Sequence, residues 1–184
     1  MILPVFFLFS LFSLLYLSGK CKDSRRILYV ILLFIWLVLA LIAAFRPFDM
    51  PDRENYILFW YGRGEERFEI GFTTIVDWLQ LLTGNEYAFL FVFAALSIAL
   101  KMIAIYRITP FIWASLLIYT ANIFILHDMI QIRCAIASGL LLWAVYYLVN
   151  RRAISFLVIS IVAFLFHYSS IVIFPLWFLN INRS

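Results

Sequence analysis

Long apolar runs dominate the chain, and short polar stretches punctuate them. Residues 27–45 carry no charged side chain at all. A helix of about 20 apolar residues spans the roughly 30 Å hydrocarbon core of a bilayer. The runs predict helices over about 2–18, 27–45, 87–106, 111–126, 134–149 and 153–166, with a last apolar run at about 170–180. Thr109-Pro110 separates the third from the fourth, and Pro110 sits where a new helix favours proline. The stretch 46–86 is the one long polar interval and reads as a loop. Within it, Glu69 begins an amphipathic piece to Leu82 that lies on or dips into the membrane interface.

Composition turns this pattern into a fold class. Hydrophobic residues make up 66% of the chain and charged residues 13%. A soluble domain averages about half apolar and about a quarter charged, so water cannot be the solvent here. Backbone hydrogen bonding in lipid leaves helices or closed barrels, and barrel strands would read as short alternating segments. The expected fold is therefore all-α: a polytopic transmembrane bundle of about six to seven helices, forming a single domain over residues 1–184. The first run has no basic segment before it and reads as a retained helix, not a cleaved signal. Lys20 also excludes a lipoprotein cleavage site at Cys21.

Charge supplies orientation. The formal net charge is +4, and its basic residues gather in 19–26, 101–107 and 150–152. Alternating helices put these three loops on one side, which the Lys/Arg bias makes cytoplasmic. The basic excess thus needs no nucleic-acid partner. Residues 46–69 hold four arginines against six acidic residues and belong outside, as does the N-terminus. Cys21 and Cys134 fall on opposite sides, so no disulfide between them is expected.

This topology carries three polar clusters to the outer ends of helices, where bundle packing can gather them. The first is Arg46-Pro47-Phe48-Asp49-Met50-Pro51-Asp52-Arg53-Glu54-Asn55-Tyr56. Its charges suit either a solvated loop or a substrate site. The second is His127 to Arg133. Gln131 lies one helical turn beyond His127 and shares its face, and Ala135 and Gly139 permit close helix packing. Arg133 and His127 can be interfacial anchors or functional groups at membrane depth. The third is His167-Tyr168-Ser169-Ser170, where a histidine at a helix end is either structural or catalytic. The chain has no H-E-x-x-H, G-x-S-x-G or Walker A motif, so a metal, a cofactor or nucleotide hydrolysis is not expected.

Together these clusters resemble the EpsG family of Wzy-type polysaccharide polymerases. The resemblance rests on Arg46, Asp52 and Tyr56, on Glu69-x-Gly71-Phe72, on Gln131-x-Arg133-x-x-x-Ala137, and on His167-Tyr168-Ser169-Ser170 with Pro175. Their order matches along almost the whole chain. Family members usually carry glycine before the loop aspartate. Here the stretch reads Phe48-Asp49-Met50-Pro51-Asp52, so Asp49 and Asp52 both remain candidates. Family members are also longer, and the resemblance implies that this chain corresponds to an N-terminal half.

The resemblance implies glycan polymerisation at the outer face of the bacterial cytoplasmic membrane, and an enzyme if the chain is complete. Its substrate would be an undecaprenyl-diphosphate-linked oligosaccharide, for capsule, O-antigen or exopolysaccharide. A chain-length regulator and a flippase would be its neighbours. Arg46, Arg53 and Arg133 would hold the diphosphate, because guanidinium forks match phosphate oxygens. Asp52, with Asp49 second, or His167 would be the base. His127 and Gln131 would orient sugar hydroxyls, with Tyr56 and Glu69 also binding substrate. Two other classes fit the pattern: a transporter or flippase subunit, and an accessory or inactive fragment. A transporter would place its polar residues near the midplane on broken helices, often in repeated halves.

Overall fold

A computed structural model describes residues 25–64 and 68–181. Among them the fold is all-α, with no strand. Helix α1 is Arg25–Ala44, and two helices follow inside the 46–86 stretch, α2 (Arg53–Trp60) and α3 (Ile70–Leu82). Next come α4 (Glu86–Ile108) and α5 (Ile112–Ile118), which runs on into a π-helical segment, Tyr119–Ile130. Then α6 (Ile132–Val149) and α7 (Ala153–Phe166) form a hairpin, followed by a 3₁₀ segment (Tyr168–Ile173) and α8 (Leu176–Ile181). The helix expected over 2–18 and the loop residues Lys20, Cys21 and Lys22 lie outside the described residues.

α4 is the centre of the bundle. It packs against α1, the π-helical segment and α6; α6 packs on α7, and α7 on α3. Gly139 is what lets α6 approach: a Cβ there would sit 2.9 Å from Leu100 Cβ of α4. Three apolar cores result among the described residues, the smallest on Ala144, Phe156 and Ile173. Ile35, Leu39 and Ala43 of α1 meet Ala94, Ile98 and Phe124 in the first. The second is aromatic and joins Tyr56, Trp60, Phe72, Phe89 and Phe93 to Ile136 and Phe166.

Among the described residues, three helices are long and apolar enough to cross a membrane: Glu86–Ile108, Ile112–Ile130 and Ile132–Val149. Shorter apolar helices cover Leu28–Ala44, Ile70–Leu82, Ala153–Phe166 and Tyr168–Phe178. The outside is apolar as well, with Val30, Leu33 and Phe34 of α1 and Ile154, Leu157 and Val158 of α7 exposed. Such a surface needs lipid around it. The chain is a membrane protein.

The structure departs from the expected elements at three places. The loop expected over 46–86 holds an additional helix, α2, ahead of α3, which coincides with the amphipathic piece expected from Glu69 to Leu82. Pro47 and Pro51 only prevent α1 from continuing. Beyond them Tyr56 and Trp60 stand one turn apart and are both buried, and Trp60 stacks on Phe89 at 5.0 Å. In α3, Phe72, Val76 and Leu79 make the same kind of buried stripe. Second, the helix expected to stop near 126 continues to Ile130, because Asp128 meets a partner inside the bundle. Gln131 is the break itself (φ −103°, ψ 73°), so the single helical face assigned to His127 and Gln131 does not exist. Third, Lys101 is not part of a basic helix end. It is buried about two turns inside the end of α4.

Candidate functional site

The end of the bundle where α1 stops, α3 starts and α6 starts gathers the charged residues. Glu69 caps α3 with extended backbone (φ −64°, ψ 150°), which turns its side chain toward α6 and α7. Gly71 makes that approach possible. A Cβ there would lie 2.8 Å from the Leu165 carbonyl oxygen of α7, closer than real Cβ atoms come. The glycine therefore brings α3 against the last turn of α7, next to His167.

Three residues distant in sequence then form one hydrogen-bonded group. Arg133 Nη1 donates to Glu69 Oε2 at 2.7 Å. His167 Nδ1 lies 3.1 Å from Glu69 Oε1. An ionised carboxylate only accepts, so Nδ1 carries the ring proton and Nε2 is the basic nitrogen of the neutral imidazole. The Glu69 side chain is 5% exposed, whereas Arg133 is 25% and His167 29% exposed, so the group opens on its Arg133 and His167 side. Burial pushes the Glu69 carboxyl up, but bonds from Arg133, its own backbone N–H and His167 outweigh this and hold it below the ordinary carboxylate value. The Arg133 guanidinium lies over the rings of Phe68 (4.6 Å) and Tyr56 (5.9 Å). Burial pushes the Tyr56 hydroxyl up, against the pull of Arg133.

Two further arginines lie at the same end. Arg46 follows α1 and is buried. Its Nε donates to Ala43 O and its Nη1 to Met129 O, each at 2.7 Å. The second bond joins residues 83 apart in sequence. Arg53 opens α2, also buried, with its guanidinium 4.1 Å above the Phe48 ring and Nη2 3.4 Å from Glu86 Oε1. Arg46 Nη2 and Arg53 Nε find no hydrogen-bond partner among the described residues. Burial pulls the Arg46 guanidinium down to about 10; Tyr56 opposes the fall and Arg53 adds to it. A buried N–H without a partner costs about 1–3 kcal/mol, more when charged. An anion can supply the acceptors that such donors lack.

The remaining expected residues are placed less tightly. Asp49 and Asp52 are exposed. Asp52 has left-handed backbone (φ 61°) ahead of α2, and its charge reaches Tyr56 and Cys134. Gln131 is half-buried at the break. His127 turns to α6, where its Nδ1 is 3.2 Å from Ser138 Oγ. Ser138 gives its own proton to Ala135 O at 2.9 Å, so Nδ1 of His127 is the donor.

A second ionic cluster lies deeper and involves residues that sequence reasoning did not select. Lys101 Nζ is 2.8 Å from both carboxylate oxygens of Asp128 and 3.0 Å from Ser97 Oγ. Ser97 donates to Asp128 Oδ1, and Tyr119 OH to Oδ2 at 2.8 Å. Lys101 and Asp128 side chains are 1% and 0% exposed. A lysine flanked on both sides by apolar helix residues was the available signal; its proximity to Arg107 concealed it.

Residues 29–184 match the EpsG family, which takes in all the site residues above. No curated protein and no solved structure matches the chain. The extent of the family match makes the chain a member of the EpsG family.

Proposed function

We propose that this protein works in bacterial polysaccharide biosynthesis as a Wzy-type polymerase. It joins undecaprenyl-diphosphate-linked repeat units at the outer face of the cytoplasmic membrane. The observation that carries this reading is the pair of buried arginines with unpartnered donors, Arg46 and Arg53, at the same bundle end as the Glu69–Arg133–His167 group. A lipid diphosphate brings the oxygens those donors lack. The basic residues Arg107, Arg151 and Arg152 lie at the opposite helix ends, which supports an outward-facing site; with the helix expected over 2–18, the N-terminus is extracytoplasmic in this reading.

In this reading the acceptor sugar hydroxyl attacks the anomeric carbon of the growing chain. The new C–O bond forms as the anomeric carbon–phosphate oxygen bond breaks. The lipid diphosphate leaves with that electron pair, held by Arg46, Arg53 and Arg133. His167 Nε2 takes the hydroxyl proton. Glu69 positions His167 and Arg133, since its two oxygens are bonded to them. Tyr56, His127 and Gln131 line the sugar side. Asp52, with Asp49 second, is the competing base, reached from solvent. The diphosphate already activates the sugar, so no cofactor enters. A flippase supplies the units and a chain-length regulator limits the product.

A second reading, a transporter or flippase subunit, draws on the Lys101–Asp128 pair inside the bundle and the interrupted helix at Gln131. One complementation experiment separates the two. Cells lacking the gene receive the wild-type protein or Arg133→Ala, and their surface glycans are run on a gel. A polymerase leaves single repeat units at the surface when Arg133 is lost. A flippase leaves none. A ladder of normal length from Arg133→Ala would sink the arginine's assignment.

A further inference from the structure

Asp128 holds more than its own charge. Its carboxylate takes Lys101 and Ser97 from α4, and Tyr119 from the first residue of the π-helical segment. The Tyr119 bond therefore straps that segment end to end, while Lys101 and Ser97 fasten it to the central helix. π-Helices are rare and usually a single turn, so twelve residues of one need such tertiary anchoring. The next residue, Met129, presents the carbonyl that receives Arg46 Nη1. With Ala43 O on Nε, this bond fixes the plane of the guanidinium and hence the direction of Nη2, the unpartnered donor.

We infer that the Lys101–Asp128 pair, with Ser97 and Tyr119, is a positioning device for the anion site: it pins the π-helical segment so that Met129 aims Arg46 at the diphosphate. The inference rests on the proposed function and adds to it residues that touch no substrate. The cluster has the required character. It is sealed, its hydrogen bonds are satisfied, and it stands one residue from the carbonyl it controls. A buried ion pair is weak evidence for stability, since a well-packed apolar pair of similar volume is often as stable. Orientation is the role left for it.

Binding of farnesyl diphosphate to the full-length protein in lipid nanodiscs tests this. The variants are Arg53→Ala, Arg46→Ala, Asp128→Asn, Tyr119→Phe, Lys101→Met/Asp128→Leu and Arg46→Ala/Asp128→Asn. The apolar pair, which leaves the Ser97 and Tyr119 hydroxyls without their acceptor, is expected to fold with a lowered melting temperature and to bind roughly tenfold more weakly, the effect of one misaimed charged hydrogen bond. Tyr119→Phe keeps the ion pair, removes only the strap and loses a few-fold, which covers the case of a double variant that does not fold. In the Arg46→Ala background, Asp128→Asn should add nothing. A loss that adds to that of Arg46→Ala, or wild-type binding by the apolar pair, overturns the positioning role. If Arg53→Ala weakens binding in either of those cases, the diphosphate reading stands alone. If the wild type and Arg53→Ala bind the probe equally, both fall together.

Discussion

The Glu69–Arg133–His167 group and the Lys101–Asp128–Ser97–Tyr119 cluster stand on either side of one helix junction. Both set an acid against a base inside an apolar bundle, yet they are finished differently. In the deep cluster each carboxylate oxygen and the ammonium are bonded, and water is excluded. In the other group the carboxylate alone is sealed, while its two partners remain partly open. Nearby, Arg46 and Arg53 keep donors without partners. A completed network has no bonding capacity left for a ligand. An incomplete one does, and the difference separates a fastening from a candidate binding site.

The comparison breaks most readily at Asp128. Asp128→Leu alone leaves the Lys101 ammonium buried without a counter-charge, bonded only to Ser97 Oγ, which should cost about 3–5 kcal/mol. Thermal unfolding in nanodiscs should show the loss, and Lys101→Met should recover most of it. Recovery in the single variant would mean that water reaches Lys101 and that the cluster is not sealed. His167→Ala tests the open group. Removing a general base lowers polymerisation by roughly 10²–10⁴-fold with little change in melting temperature. Asp52→Asn and Asp49→Asn should stay within a few-fold, being exposed. The reverse order of effects would transfer the base role to the loop aspartates.

Gly71→Ala should be milder in stability, about 1–3 kcal/mol, from forcing α3 off the Leu165 carbonyl. It should nevertheless separate Glu69 from His167, so polymer length falls more than protein amount. The smallest effect is on pH dependence. The Glu69 carboxyl titrates below its ordinary value of 4.5, so its stabilising bonds are present above 4.5 and disappear as pH falls through the lowered value. The melting difference between wild type and Glu69→Gln should persist down to about pH 5 and shrink only in stronger acid. A difference that shrinks near neutral pH would place the Glu69 carboxyl above its ordinary range.

Much of the candidate site was legible because polar residues are conspicuous in so apolar a chain. Arg46, Glu69, Arg133 and His167 stand out at helix ends, and the structure brings them to one end of the bundle. The deep cluster was not legible. Lys101 and Asp128 are 27 residues apart on different helices, and no periodicity links them. Each also had an ordinary local explanation, a basic helix end and a polar loop. α2 was hidden between prolines and charges, although the spacing of Tyr56 and Trp60 would have indicated a short buried helix. The π-helical segment has no sequence signature; a fully buried carboxylate and its three partners hold it.

That segment has a consequence for how the chain can vary. Its hydrogen bonds close wider rings than those of an α-helix, so a single-residue deletion between Ala121 and Leu126 would let ordinary α-helical pairing return. Everything after the deletion would then be re-registered about the helix axis relative to α4. Asp128 would leave Lys101, and the Met129 carbonyl would leave Arg46, in the same step. Substitutions at its outward-facing positions, Ile123, Ile125 and Leu126, are far less disruptive. Its residue count is the inherited quantity, and a gap there changes the chemistry of a site several residues away.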